Sequence, residues 1–169
     1  LKNGFEQDNG RTEARQISIE AGSLSNRAGN ILGRSLSVDT RGGDLDNGAK
    51  GTIAASGALV LRSGALNNDS GLIQSGESLR IDTNGRVLVN TNAAGYRTQP
   101  ADMAGGITSG GTLILKTGEV KNTAGSIDSK GVLIAETQAF TNAGGKTLAV
   151  GSLDLDAGDG AIDNTGGLI

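Results

Sequence analysis

Residues 24–38 read LSNRAGNILGRSLSV, and residues 66–81 (LNNDSGLIQSGESLRI) and 120–135 (VKNTAGSIDSKGVLIA) repeat the same arrangement. In each stretch an apolar residue lies two positions before an asparagine, an isoleucine follows five positions after it, and an apolar-x-apolar pair completes the unit. The asparagines recur with steps of 20 to 22 residues within each unbroken run. A fixed period of this length is the signature of a solenoid.

The apolar pair in each repeat, such as Leu36 and Val38, indicates β-strands, because residues two apart lie on the same side of a strand. Glycine and asparagine turns separate these short segments. Apolar burial contributes ~1.5 to 3 kcal/mol per side chain, whereas ordering the backbone costs ~1 to 2 kcal/mol per residue, so one coil of about twenty residues is not stable alone. The sequence therefore predicts a parallel β-helix of about seven coils of 20–22 residues, with three short strands per coil. By analogy with the crossover preference, we expect it to be right-handed.

Apolar positions should stack into continuous columns along the solenoid. The first column is predicted to contain Leu24, Leu45, Leu66, Val120, Phe140 and Ile162, and the second Ile31, Ile53, Ile73, Ile107, Ile127, Leu148 and Ile169. This alignment places one-residue expansions before Ile53 and Leu148.

The repeated asparagines are predicted to form a ladder that satisfies turn groups by hydrogen bonds between coils. Its members are Asn26, Asn47, Asn68, Asn122, Asn142 and Asn164. Ligand binding is the alternative role, and the internal use of the hydrogen-bonding groups counts against it. Asn68-Asp69-Ser70 is formally a glycosylation sequon, but Asn68 is expected to be occupied by the ladder.

The pattern breaks in the fourth predicted coil, where Val87 and Val89 stand in place of the apolar-x-Asn pair. About twelve additional residues follow, so residues 90–106 are predicted to form an inserted surface loop. Insertions in solenoids map to surface loops and often to binding faces. Candidate contact residues of this loop are Tyr96, Arg97, Pro100 and Met103, and a tolerated excursion is the alternative.

A smaller insertion is expected at residues 6–15, whose charges are typical of a solvated loop. Residues 1–169 are otherwise predicted to form a single β-helix segment of a longer repeat shaft. Neither end shows a polar or helical cap, so we expect the rod to continue beyond both ends. The segment should be monomeric, with end-to-end stacking possible through open strand edges.

Composition restricts the function further. The chain has no cysteine and no histidine, and its net charge is −3 with scattered basic residues, which argues against a nucleic-acid partner. The sequence contains no signal peptide and no apolar run of membrane-spanning length.

A carbohydrate-active enzyme is the main catalytic alternative, because parallel β-helices include such enzymes, but that chemistry needs converging carboxylates with a basic residue or a metal. The best acidic cluster contains Asp154, Asp156, Asp159 and Asp163. Its spacing does not match a calcium loop, because Thr165 stands where a bidentate glutamate belongs. We therefore expect a solvated face and predict no catalytic residue, no metal and no cofactor.

The pattern L-x-N-x-x-G-x-I-x-x-x-G-x-L-x-L in the three quoted segments resembles the haemagglutinin repeats of the filamentous haemagglutinin family. The resemblance extends over nearly the whole chain, from about Asn3 to Ile169. It implies a large exoprotein of Gram-negative bacteria, exported through an outer-membrane partner by two-partner secretion and located outside the cell, in which the repeats form a β-helical shaft.

Two functions of such a shaft remain open. The first is a structural segment of a filamentous adhesin that mediates or supports attachment to host cells, with a cell-surface receptor or glycan as partner. The second is the stalk of a contact-dependent growth-inhibition protein that delivers a toxin to another bacterium.

Overall fold

The computed structural model describes residues 3–97 and 104–169 and shows a parallel β-solenoid of about eight turns. All paired strands run parallel. Each coil contributes one very short strand to an eight-stranded sheet, and its remaining strands to a twelve-stranded sheet. The predicted parallel β-helix is confirmed, with slightly more coils than the seven expected from the apolar pairs. The hand of the coil stays a prediction.

The eight-stranded sheet contains the first strand of every coil. Its members are β1 (Phe5–Glu6), β3 (Leu24–Ser25), β5 (Leu45–Asp46), β8 (Leu66–Asn67), β11 (Leu88–Val89), β14 (Glu119–Lys121), β17 (Ala139–Thr141) and β20 (Ile162–Asp163).

The twelve-stranded sheet contains the second and third strands. The second strands are β6 (Thr52–Ala55), β9 (Leu72–Ser75), β12 (Gly106–Ser109), β15 (Ser126–Ser129) and β18 (Lys146–Ala149). The third strands are β7 (Leu59–Arg62), β10 (Leu79–Asp82), β13 (Leu113–Lys116), β16 (Leu133–Glu136) and β19 (Leu153–Asp156).

In the first two coils a single ten-residue strand, β2 (Arg11–Glu20) or β4 (Asn30–Asp39), replaces the second and third strands. The prediction of three strands per coil is therefore wrong for these two coils. From Ile31 to Leu36 the chain is one residue shorter than from Ile53 to Leu59, and the extra residue in later coils accompanies a bend that divides the strand.

The core consists mainly of the predicted apolar columns, although Ile162 and Ile169 in the last coil are 50% and 43% exposed. Leu45, Leu66 and Leu88 are in register on neighbouring first strands, and each is at most 1% exposed. Ile53 and Ile73 are in register in the second column and are fully buried. Stacking lets the neighbouring coils cover the core side chains of each coil, whereas an isolated coil would leave these side chains exposed to water.

The assignment of Leu148 to the second column was wrong. Thr147, not Leu148, pairs with Ile127 in the second column; Thr147 is 1% exposed and Leu148 is 37% exposed. The proposed expansion before Leu148 therefore does not exist. A β-branched threonine fills the place of isoleucine at this point, and its hydroxyl donates to Asn142 Oδ1 at 3.1 Å.

The predicted loop at residues 6–15 is also wrong, because these residues belong to a complete first coil. Phe5 pairs with Leu24 in the first column. Gln7 takes the asparagine position and donates through Nε2 to Asn26 Oδ1 at 3.0 Å. Thr12 pairs with Ile31 in the second column. The sequence pattern did not reveal this coil, because Gln7 replaces the asparagine and Thr12 replaces the isoleucine of the repeat.

Candidate functional site

The asparagine ladder runs through the first corner of the solenoid and is continuous. Asn26 Nδ2 donates to Asn47 Oδ1 at 2.8 Å and also to the carbonyl oxygens of Gly29 and Thr52. The same side-chain link repeats in every later coil up to Asn164. The amide groups are therefore occupied internally.

Asn90 is a ladder member that the sequence interpretation missed. Its Oδ1 accepts from Asn68 Nδ2 at 2.8 Å, and its Nδ2 donates to Asn122 Oδ1 at 2.7 Å. Leu88, rather than Val87, occupies the apolar position two residues earlier. The expected break in the ladder at Val89 is therefore wrong, and the inserted segment begins after Asn90.

Most ladder asparagines are followed three or four residues later by a glycine. Glycine is needed there because the backbone of the preceding coil passes close to its Cα. A Cβ atom on Gly145 would approach the carbonyl oxygen of Asn122 and the side chain of Asn142 more closely than 3.0 Å. The residue before this glycine has positive φ, as at Ala124 (50°) and Gly144 (61°). We call this glycine position the glycine seat; it explains the spacing of asparagine and glycine in the repeat.

The inserted segment replaces one glycine seat. Asn92 has φ 54°, matching Ala124 of the next coil, and the chain then leaves the coil at Ala93 instead of continuing with glycine. It returns at Gly105, whose N–H donates to the Ala93 carbonyl at 2.9 Å. Gly106 begins β12 in register with Leu72. The insertion is thus confined to 93–105, inside the predicted 90–106.

Asp69 of the preceding coil binds the residues that immediately precede the insertion. Its Oδ1 accepts from Thr91 Oγ1 at 2.5 Å and from Asn92 Nδ2 at 2.7 Å. The N–H of Ala93 donates to the Ala124 carbonyl at 3.0 Å in the following coil. The departure point is therefore held from both neighbouring coils.

The first residues of the segment, 93–96, lie along the outside of the second strands. A short 3₁₀ helix, Ala93–Tyr96, brings the Tyr96 hydroxyl within 2.9 Å of Thr52 Oγ1. Leu72 occupies an outward position in the same register as Thr52 and is nevertheless only 3% exposed. The insertion therefore lies against the shaft at this point.

The predicted contact residues are only partly described. Tyr96 is half-buried against the shaft, whereas Arg97 is exposed. Pro100 and Met103 lie outside the described residues. Whether this loop binds a partner stays a prediction.

The acidic residues near the C-terminal end point into solvent. Asp154, Asp156, Asp159 and Asp163 are all exposed. The Thr165 hydroxyl and backbone N–H hold the pKa of the Asp163 carboxyl below its usual value of 3.8. Within residues 3–97 and 104–169, no three acidic, histidine or cysteine side chains lie close enough together to hold a metal ion.

Two shallow grooves follow the second and third corners. One, of about 740 Å³, is lined in part by Arg15, Arg34 and Glu77. The other, of about 620 Å³, includes Arg86 and Glu119 in its walls. Both surfaces carry mixed charge. No helix in the described ranges has the length and apolar character needed to cross a membrane.

Comparison with known proteins agrees with this architecture. A sequence profile of the haemagglutinin repeat matches residues 7–49, 19–95 and 84–169. The chain belongs to the filamentous haemagglutinin family. For this haemagglutinin-repeat chain, neither a search of curated proteins nor a search of solved structures gave a match.

Membership has consequences for the class of function. Haemagglutinin repeats are typical of structural, adhesin-type proteins that are secreted or located at the bacterial surface, and not of an enzyme family. They also imply a two-partner-secretion context.

Sequence reasoning missed two further polar columns of this haemagglutinin-repeat shaft. At the second corner Ser109 Oγ donates to the Glu77 carbonyl at 2.7 Å. At the third corner Thr117 Oγ1 donates to Thr137 Oγ1 at 3.2 Å, and the Thr137 hydroxyl lies 3.0 Å from the Gly118 carbonyl. The serine or threonine that recurs after most of the apolar segments was the available signal. No buried side-chain nitrogen or oxygen among the described residues lacks a hydrogen bond.

Proposed function

We propose that this chain is a shaft segment of a secreted bacterial filamentous adhesin, and that it supports attachment to host cells by holding a binding region away from the bacterial surface. The observation that carries the proposal is the continuity of the asparagine ladder from Asn26 to Asn164, including the coil that carries the insertion. A shaft transmits position only if no coil is interrupted, and here none is interrupted between these residues.

The stiffness of such a shaft has a physical origin in its buried polar corners. The asparagine corner repeats the same side-chain hydrogen bond in every coil from Asn26 to Asn164, so bending the rod would separate bonds that have no water to replace them. Coils rise by about 4.8 Å each, so eight turns give a rod of roughly 40 Å.

The export route and location follow the family. We infer secretion through an outer-membrane transporter of the two-partner type and exposure on the surface of a Gram-negative bacterium. The stalk of a contact-dependent toxin-delivery protein would use the same shaft, and this alternative stays a prediction.

Binding of the purified chain to host cells and to a glycan panel tests the proposal. The matched variant replaces Ala93–Gly105 with one glycine, which restores the regular turn between Asn92 and Gly106. For a shaft segment we expect an elongated particle in small-angle scattering and no cell binding by either protein. Binding that the replacement abolishes would make the insertion a receptor contact. A compact, non-elongated particle would contradict the shaft role.

A further inference from the structure

We propose that Asn84 is a site of spontaneous deamidation in the folded chain, through a succinimide formed with Gly85. Asn-Gly pairs are suited to this reaction because glycine has no side chain to obstruct its backbone nitrogen. The sequence has four such pairs, at Asn3, Asn9, Asn47 and Asn84, and the last three lie at turns within the coils. These three pairs differ in the hydrogen bonding of the two reacting groups, which are the side-chain amide of the asparagine and the backbone N–H of the glycine.

Asn47 is protected at both groups. Its Nδ2 donates to Asn68 Oδ1 at 2.8 Å and to two carbonyl oxygens, and the residue is fully buried. The N–H of Gly48, which would supply the nucleophile, donates to Asp46 Oδ1 at 2.9 Å. Reaction here would require breaking a ladder step.

Asn9 is protected at the nucleophile. The N–H of Gly10 donates to the Gln7 carbonyl at 2.8 Å. A Cβ atom on Gly10 would lie 2.7 Å from the Gln7 side chain, so the turn has little room to rearrange.

Asn84 has neither protection. Its side chain is exposed and has no hydrogen-bond partner among the described residues. The N–H of Gly85 has no acceptor in the same part of the structure. Asn84 and Gly85 both have positive φ, 51° and 72°, and no atom lies within 4 Å of a Cβ built on Gly85. The turn is closed by the Arg86 N–H, which donates to the Thr83 carbonyl at 2.9 Å, and the Asn84 N–H donates to Asp82 Oδ1 at 2.9 Å. Neither hydrogen bond occupies the Asn84 side chain or the Gly85 N–H, so both reacting groups stay available.

The reaction needs only water. The Gly85 nitrogen loses its proton and attacks Asn84 Cγ; the new N–C bond closes a five-membered ring, and the side-chain amide leaves as ammonia. Water then adds to either ring carbonyl, which gives aspartate or isoaspartate at position 84. The product adds a carboxylate to a small cavity of about 170 Å³ that Asp39, Arg62 and Asp82 also line.

Peptide mapping after prolonged incubation in mildly alkaline buffer tests the assignment. Trypsin releases residues 81–86 and 42–50 as separate peptides, each with a single asparagine. We expect conversion of the amide to the acid at position 84 but not at 47 in the folded chain, and at both positions in urea. Asn84→Gln is the matched control and should remove the conversion in residues 81–86.

Equal conversion of both peptides in the folded chain would overturn the proposal, since the ladder would then give no protection. An unchanged 81–86 peptide in the folded chain, with conversion in urea, would also overturn it. The readout is chemical and is independent of whether the shaft supports adhesion.

Discussion

Asn90 donates a hydrogen bond to Asn122 Oδ1 at 2.7 Å across a sequence separation of 32 residues, whereas the other ladder steps from Asn26 to Asn164 span 20 to 22. The extra length leaves the coil after Asn92 and returns before Gly106, so the hydrogen-bond geometry is the same as in uninterrupted coils. The ladder and the insertion are therefore structurally independent.

Asn90→Ala should destabilise the chain although this residue lies beside the insertion. The substitution removes the donor for Asn122 Oδ1 and the Ser126 carbonyl, and each unsatisfied buried group costs about 1–3 kcal/mol. Urea denaturation measures the loss. Asn164→Ala is the control, because Asn164 is exposed and only accepts from Asn142 in the ladder. Equal effects of the two substitutions would contradict the ladder's buried role.

The glycine seat predicts opposite outcomes for neighbouring glycines. Gly145→Ala should cost at least about 1–3 kcal/mol, because its Cβ would collide with the Asn122 carbonyl. Gly144→Ala should be tolerated far better, since nothing lies within 4 Å and Ala124 already adopts the same positive φ one coil earlier. Thermal denaturation of the two variants gives the comparison. A milder effect at Gly145 than at Gly144 would rule out the close-approach explanation.

Ile73→Asp should abolish cooperative folding. Ile73 is fully buried between Ile53 and Ile107, and an unpaired carboxylate there costs several kcal/mol. Gln74→Asp places the same charge on the outward side of the same strand and should change the unfolding free energy by less than about 0.5 kcal/mol. Circular dichroism during denaturation distinguishes them, and a cooperative transition in Ile73→Asp would show that this column does not carry the core.

Replacing Ala93–Gly105 with one glycine should leave the shaft folded. The ladder bonds of Asn90 do not involve this segment, but Leu72 and Thr52 lose the cover given by the insertion. We therefore expect a strand-rich spectrum with a modest loss of stability. The milder Tyr96→Phe removes only the hydrogen bond to Thr52, worth about 0.5–1.5 kcal/mol. Collapse of the fold on replacement would show that the insertion is an integral part of the coil.

Asp8 should titrate below its usual value of 3.8. The Ser25 hydroxyl, followed by the Arg27 backbone N–H, hydrogen-bonds the carboxylate and lowers its pKa. Because the pKa is depressed in the folded state, the associated stabilisation is present above 3.8 and is lost as the pH falls through the folded pKa. Carboxyl NMR titration should show the pKa rising toward 3.8 in Ser25→Ala. An unchanged value would mean that this hydroxyl has no role.

The columns of the fold could be predicted because their chemistry repeats. Wherever leucine, isoleucine and asparagine occur at the standard spacing, as at Leu66, Asn68 and Ile73, the structure confirms them. Errors arose where one residue type substitutes for another with the same shape or hydrogen-bonding group. Gln7 acts as asparagine and Thr147 acts as isoleucine.

The insertion shows a different limit of the sequence. Val87 and Val89, on either side of Leu88, were aligned with the apolar-x-Asn positions of the repeat. This alignment is one residue out of register, because Leu88 pairs with Leu66, and it assigned Asn90 to the loop. Its position could be found by periodicity, because the period is lost there. Its packing against Thr52 depends on a contact between residues that share no repeat, and the pattern contains no information about it.

The glycine seat also makes the solenoid a natural display scaffold. Each regular coil has the same exit, a residue of positive φ followed by a position where the chain can depart and return without altering the strands on either side. This chain uses that exit once, at Ala93, and equivalent exits exist at Gly71, Gly125 and Gly145. A peptide inserted at any of them should be carried on the same side of the rod, at a height set by the number of coils below it.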